Sequence, residues 1–224
     1  MSTEMLNVEF KGINKGKPKL KSDGFVLPFY QNKKSLRDLE YHNKFIKACE
    51  KLIRTSKEYK AYKKYLIKDV GLNYCQVFPN INLDNCDESE ITLEMHHGPI
   101  LTLYDYCNIV TEHLLYNDYK EINTFKIASI VLNEHFENNV QVVMLCDLAH
   151  KLVHAKQVYL NPKQGWGNIN TFLDKYKDGI DDKMEHIINK NIEIAQKYHS
   201  FDRDKILEIA KIERWDISNI EDYI

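Results

Sequence analysis

A short apolar run leads directly into a helical stretch with no turn-forming residue between them, and this junction constrains the fold most strongly. The run Val140–Leu145 is brief and rich in β-branched residues, which predicts a buried strand. The following stretch, Cys146–Ala155, carries His150 and His154 four residues apart, so both imidazoles are expected on one helix face. The chain is therefore predicted to place two histidines just beyond the end of a buried strand.

A second pair of histidines follows another apolar run. Leu72–Val77 and Ile91–Met95 are short β-favouring runs separated by a turn-rich segment, and they predict two strands joined by a loop. The second run continues into His96 and His97 before a proline ends it. We therefore expect two separate places in the chain to bring four imidazoles together.

Four clustered imidazoles have a defined chemical use. Three neutral imidazoles can hold one divalent ion, which then polarises a phosphate oxygen and stabilises a leaving alkoxide. A neighbouring histidine outside the coordination sphere titrates near neutrality and can deprotonate an attacking water. The residue types are those needed for one-metal hydrolysis of a phosphodiester.

The spacing of these residues also matches a known pattern. The motif E-x-H-H-x-P at residues 94–99, followed after a strand by L-C-x-x-x-H-x-x-x-H at residues 145–154, resembles the ββα-metal core of the HNH, or His-Me finger, endonucleases. The chain also resembles HNH proteins encoded by large bacteriophages. The resemblance implies that His96, His150 and His154 bind the metal and that His97 is the general base. It further implies that Glu94 accepts a hydrogen bond that orients one metal-binding imidazole. The ion is expected to be Mg, Mn, Zn or Ni, and imidazole ligands favour the transition ions.

Two departures from the family pattern bear on activity. Gln141 stands near the position of the family's asparagine, and it offers the same amide one methylene further out, so we expect it to position the loop that carries His97. Some 50 residues separate His97 from His150, and two predicted helices at about 102–137 form an insertion between the two halves of the motif. These departures leave an alternative open, namely a catalytically inactive HNH-derived protein that binds nucleic acid or has a structural role in a larger assembly.

Charge is divided unevenly along the chain. Residues 1–65 carry 16 Lys or Arg against 7 Asp or Glu, a balance of +9, and the remaining residues carry a balance of −11. A basic segment favours a polyanionic partner because lysine and arginine contacts to phosphate release counterions, although a solvated helix surface has the same composition. We expect a nucleic acid partner, DNA more than RNA. The candidate phosphate contacts are Lys15, Lys17, Lys19 and Lys21 in the basic segment and Lys151 and Lys156 beside the helix histidines.

These observations predict an α+β fold that is mostly helical, with a ββα-metal core split by a helical insertion and flanked by N- and C-terminal helices. The expected segments are a basic arm with helices at 1–65, the core with its insertion at 66–165, and C-terminal helices at 166–224. No apolar run reaches the roughly 18 residues that a membrane span needs, and no secretory signal is visible, so a cytoplasmic protein without a membrane partner is expected. Five cysteines without a C-x-x-C pair predict reduced, buried thiols.

Overall fold

The structure, a computed structural model, describes residues 35–84 and 91–197. Within them the chain is mostly helical and has one two-stranded antiparallel sheet, which confirms the α+β class. None of the described helices is both long enough and apolar enough to cross a membrane. The candidate phosphate contacts Lys15, Lys17, Lys19 and Lys21 lie outside the described residues, as does the last part of the predicted C-terminal helical segment.

The described elements follow the chain in a simple order. They are α1 (Leu39–Thr55), α2 (Lys57–Lys68), β1 (Leu93–His97), α3 (Leu103–Tyr116), α4 (Thr124–Phe136), β2 (Val142–Cys146), α5 (Asp147–His154), α6 (Ile169–Lys175) and α7 (Asp182–Lys197), with short 3-10 turns at Ser35–Arg37, Pro162–Gln164 and Lys177–Gly179.

The chain divides into two compact units, each drawn from separate stretches of sequence. The described part of the first unit comprises residues 35–62, 101–140 and 167–186, and that of the second comprises 63–84, 91–100, 141–166 and 187–197. The sequence predicts three consecutive segments, with the 102–137 insertion inside the core segment. The structure groups that insertion with the N-terminal helix because the apolar faces of α3 and α4 both pack against α1.

Helices of the first unit begin where polar side chains cap them. Asp38 accepts the backbone N–H of Tyr41 at 2.8 Å, and Asn123 accepts that of Lys126 at 2.9 Å. Thr102 and Asp105 form a reciprocal capping box at the start of α3. These bonds satisfy backbone donors that have no partner inside the helix, typically contributing about 1 kcal/mol for each cap. The capped helices then bury their apolar faces around Phe45, Ile53, Ile109 and Val131.

In the second unit, β1 and β2 pair in antiparallel register, with Leu93 opposite Cys146 and His97 opposite Val142. Helix α5 begins at the residue after β2 and packs against both strands. Every residue of β2 is buried, whereas β1 alternates between buried and half-buried positions. This alternation decides which side chains of β1 face the solvent-accessible side.

The strand predicted at Leu72–Val77 is wrong. This segment has one isolated bridge, between Tyr74 and Asn82, and no strand. It does contact β2: the backbone N–H of Gln76 donates to the Met144 carbonyl at 2.8 Å, and the Gln76 side-chain oxygen accepts the Met144 N–H at 2.7 Å. Because a side-chain oxygen takes the place of a backbone carbonyl, the ladder does not continue along the segment.

Candidate metal centre

Strand alternation and helical spacing place the candidate metal-binding residues on facing surfaces. Glu94 and His96 are separated by two residues on β1 and are the half-buried members of its alternating pattern. His150 and His154 lie one turn apart on α5, which packs against the same strand. The register of β1 against β2 therefore brings the strand histidine to the face of the helix that carries the other two.

The three imidazoles converge. The Nε2 atoms of His150 and His154 lie 3.1 Å apart. The ring centroids are separated by 4.4 Å for His150 and His154, 5.3 Å for His96 and His150, and 5.1 Å for His96 and His154. One ligand nitrogen from each ring can be chosen so that all three lie within 4.8 Å of one another. His96 and His150 are half-buried and His154 is exposed, so the cluster is open to solvent.

A carboxylate orients one of these rings. Glu94 Oε2 lies 2.7 Å from His150 Nδ1. A carboxylate accepts hydrogen bonds, so this contact holds a proton on Nδ1 and directs the lone pair of Nε2 towards His154. The tautomer selected in this way is the one that a metal-binding imidazole requires.

The spacing of the nitrogens fits a small divalent cation. Two nitrogens bound at about 2.1 Å to a tetrahedral ion lie about 3.4 Å apart. The 3.1 Å separation of the His150 and His154 Nε2 atoms is close to this value. The His96 ring offers a third nitrogen within 4.8 Å of the other two. The donor set therefore fits a metal that accepts imidazole ligands and leaves positions for water or substrate.

Gly98 leaves space for the His96 ring. The sequence signals this role only by placing a glycine directly after the histidine pair. A Cβ atom at position 98 would lie 3.2 Å from His96 Nε2. The backbone of Gly98 also has φ +153°, a conformation that side chains of other residues rarely allow. Any larger residue would therefore push against a candidate metal ligand.

His97 occupies a different environment from the other three histidines. It follows His96 on the strand, so alternation directs its side chain to the opposite face of β1, and only 5% of its surface is exposed. The structure thus brings together His96, His150 and His154, and it places His97 on the other face of the strand. The role of His97 as a general base stays a prediction.

Gln141 and the two predicted lysine contacts lie around this centre. The buried side-chain amide of Gln141 donates to the Pro162 carbonyl at 2.9 Å, and its backbone carbonyl accepts the Gly98 N–H at 3.5 Å. The residue therefore links the loop after α5 to the residue that follows His97. Lys151 is exposed on α5 with its Nζ 2.6 Å from Asp147 Oδ2, and Lys156 is exposed just beyond the helix.

A cysteine pair near the start of α5 has no signal in the sequence, because its members are 71 residues apart. The four described cysteines are free and buried, as predicted. Burial by itself raises the pKa of the Cys75 thiol. Hydrogen bonds from the Cys146 thiol and from backbone amides together outweigh this effect and lower the pKa to about 7. One of those amides, the Phe78 N–H, lies 3.3 Å from Cys75 Sγ. Cys75 is therefore a more acidic thiol than a cysteine that only fills the core.

The family described as Bacteriophage G278-like virion protein matches residues 14–220 of this chain. No match was found among curated proteins. None was found among solved structures.

Proposed function

The chain belongs to the Bacteriophage G278-like virion protein family, and we propose that it is a metal-dependent nucleic acid endonuclease that acts on DNA. In this proposal β1, β2 and α5 form a ββα-metal core, and His96, His150 and His154 hold one divalent ion. The observation that carries the proposal is the convergence of the three imidazole nitrogens within 4.8 Å of one another.

The order of elements around the histidines supports the same proposal. A strand with one histidine pairs with a second strand, and that strand runs directly into a helix with two histidines one turn apart. This is the arrangement that the resemblance to HNH endonucleases implies. The insertion of α3 and α4 lies between the two strands in sequence, and β1 and β2 pair in spite of it.

The chain's own residues have distinct roles in this mechanism. His96, His150 and His154 supply nitrogen ligands, and Glu94 keeps the proton of His150 on the nitrogen that faces away from them. When bound, the ion supplies a Lewis acid for a phosphate oxygen and for the leaving alkoxide. Ligands of this kind favour Zn, Ni or Mn over Mg. Lys151 and Lys156 lie on or just beyond the same helix, where they could contact the flanking phosphates.

The proposed base is His97. To take a proton from water, its ring must reach solvent on the open face of the site. Only 5% of the surface of His97 is exposed, so the mechanism requires a movement that exposes the ring. A local opening of the loop at Gly98 would supply that access.

A second candidate function is a structural metal centre in a virion component that does not cut nucleic acid. Two observations favour it: the burial of His97 on the other strand face, and the description of the family as a virion protein. In this case the same three histidines stabilise the fold by holding a metal between β1 and α5.

Metal titration and plasmid nicking separate the two functions. The purified chain is titrated with Zn, Ni, Mn and Mg by calorimetry, and supercoiled plasmid is incubated with each metal-loaded form. The endonuclease proposal expects nicking by the wild type, retained metal binding without nicking for His97→Ala, and loss of both for His150→Ala. His186→Ala, which changes an exposed histidine of α7, serves as the matched control and should behave as wild type.

The outcomes are distinct. Stoichiometric metal binding with no nicking under any of the four ions would favour the structural metal centre. Nicking that persists at wild-type rate in His97→Ala would exclude that residue as the base. Absence of binding for all four ions would overturn both functions.

A further inference from the structure

Helix α2 carries a straight row of lysines on its solvent face. We call Lys60, Lys64 and Lys68 the lysine stripe, and all three are exposed. Two steps of four residues keep the row within about 80° of the helix circumference. At about 1.5 Å per residue the stripe is about 12 Å long. It is thus a linear array of positive charge on a rigid element.

The stripe lacks neutralising charge from its own helix. Glu58 is the one acidic residue of α2, and its side chain is buried with 7% of the residue's surface exposed. Asp69 follows the helix about 100° around the axis from Lys68. Across residues 35–84 and 91–197, the ion pairs that the structure shows include none formed by Lys60, Lys64 or Lys68.

Helix α1 provides a comparison within the same chain. It also has exposed basic residues at helical spacing: Lys44, Lys47, Lys51 and Arg54. Two of these are paired with acids one turn away, Lys44 with Glu40 and Arg54 with Glu50. Such pairs give an ordinary solvated helix surface. Two of the four basic residues of α1 therefore have a carboxylate partner on their own helix, whereas α2 offers the lysine stripe no exposed carboxylate.

The chemistry of the stripe fits a phosphate backbone better than exposed bases. Its lysines advance by about 6 Å along the helix, so each can contact a separate phosphate group. Of the three tyrosines of α2, Tyr59 and Tyr62 are buried and Tyr65 is half-buried, so none is a fully exposed ring on which a base could stack. Contacts of this kind are electrostatic and independent of base sequence.

We propose that the lysine stripe of α2 is a docking surface for the phosphate backbone of duplex DNA. This surface is a property of α2 alone and does not depend on the histidine centre. It would bind DNA equally in a nuclease and in a virion component without catalytic activity.

The test compares two triple variants with the same change in net charge. Lys60→Gln, Lys64→Gln and Lys68→Gln together remove three charges from the stripe. Lys44→Gln, Arg54→Gln and Lys175→Gln together remove three charges that already have carboxylate partners. Binding of a fluorescent duplex is measured by anisotropy as salt concentration is varied, and circular dichroism and metal titration check that each variant is folded and retains its histidine centre.

The expected result is a smaller salt dependence for the stripe variant. Each lost phosphate contact lowers the magnitude of the log–log slope by about 0.9, so three lysines lower it by about 2.7. The paired-charge variant should change the slope by less than a third of this amount. Replacing the same three stripe lysines by arginine should retain the wild-type slope, because the charge is kept.

Three outcomes would overturn the proposal. Equal slope changes in the two glutamine variants would show a response to net charge alone, and an unchanged slope in the stripe variant would remove the surface from the interface. The third is tighter binding of a single strand of the same sequence, with the log–log salt slope changing by about 0.7 per lysine; the ligand of the stripe would then be single-stranded nucleic acid and not a duplex. Absence of nicking or of metal binding in the wild-type protein, with its slope and the slope difference retained, would overturn the proposed function and leave the stripe in place.

Discussion

His135 in the first unit and the three clustered histidines of the second unit place the same side chain in opposite settings. His135 is fully buried, and its Nδ1–H donates to the Val131 carbonyl at 2.7 Å. Its ring meets the edges or faces of Tyr59 and Tyr62 at centroid distances of 5.8 and 5.3 Å. In the second unit, by contrast, imidazoles meet other imidazoles in a cluster that is open to solvent.

The glutamates of the two regions differ in the same way. Glu134 is 1% exposed and accepts hydrogen bonds from Lys175, from Tyr176 at 2.7 Å and from Asn139 at 2.7 Å. The side chain of Glu94 is 40% exposed and contacts His150. The first unit thus supplies complementary partners for the buried side chains of Glu134 and His135, which stabilises the fold. The second unit collects groups of one kind, and a cation is the partner that they suit.

The largest expected effect concerns the buried glutamate. Glu134→Ala should lower the free energy of unfolding by about 3 to 5 kcal/mol, because it leaves Lys175, Tyr176 and Asn139 without their shared acceptor. Glu94→Ala, at the exposed carboxylate, should cost less than about 1 kcal/mol. Urea denaturation of the two variants measures the difference. Equal losses would show that the contrast between the regions is not one of stability.

Low pH should destabilise the first unit through protonation of His135. Burial lowers the pKa of this histidine from 6.5 to about 4. The unfolded chain therefore takes up the proton first as the pH falls, so stability is lost between about pH 6.5 and 4. The total is about 3 kcal/mol, from about 1.4 kcal/mol per pH unit. His135→Gln should have a flatter stability curve over this range than His186→Gln, which changes an exposed histidine; identical curves for the two variants would remove His135 as the cause.

Metal should stabilise the second region. A divalent ion at about 100 times its dissociation constant should raise the free energy of unfolding by about 2.7 kcal/mol, because it binds the folded chain. The gain should disappear with a chelator and in His154→Ala, and it should persist in His135→Gln. Thermal unfolding with and without Zn measures it. Stabilisation that survives in His154→Ala would place the bound metal elsewhere.

The smallest expected effect concerns the carboxylate that orients His150. Glu94→Gln should weaken metal binding by about 10- to 100-fold, because an amide holds the imidazole tautomer less firmly than a carboxylate. Asp147→Asn is the matched control, since Asp147 lies on the same helix and contacts Lys151. Calorimetric titration compares the two. A similar loss in both variants would indicate a general effect of negative charge.

Several local features were predictable from the sequence. The spacing of apolar residues predicts helices at Leu103–Tyr116 and Thr124–Phe136, and the structure confirms both ranges. Thr102 and Asn123 cap them, so the signals for their starts lie within a few residues. The strand at Leu72–Val77 could not be excluded in this way, because the Gln76 side chain that interrupts its ladder bonds to a residue 68 positions away.

The position of His97 was predictable in part. Neighbouring residues on a strand point to opposite faces, so His96 and His97 cannot both face α5 while β1 remains regular. The alternation therefore predicts that the two histidines occupy different environments. Which of them meets the helix depends on the pairing of β1 with β2, and this is a contact between residues about 50 positions apart.

The sequence by itself determined the helices, the junction of β2 with α5 and the two histidines that share a face of that helix. These features depend on interactions between residues near one another in the chain. The tertiary structure decided that His96 joins them, that His97 turns away and that the inserted helices pack with α1. Each of these needs distant segments to meet in one register, and local periodicity carries no information about register. The register that pairs Leu93 with Cys146 and His96 with Val143 brings the strand histidine beside the two helix histidines.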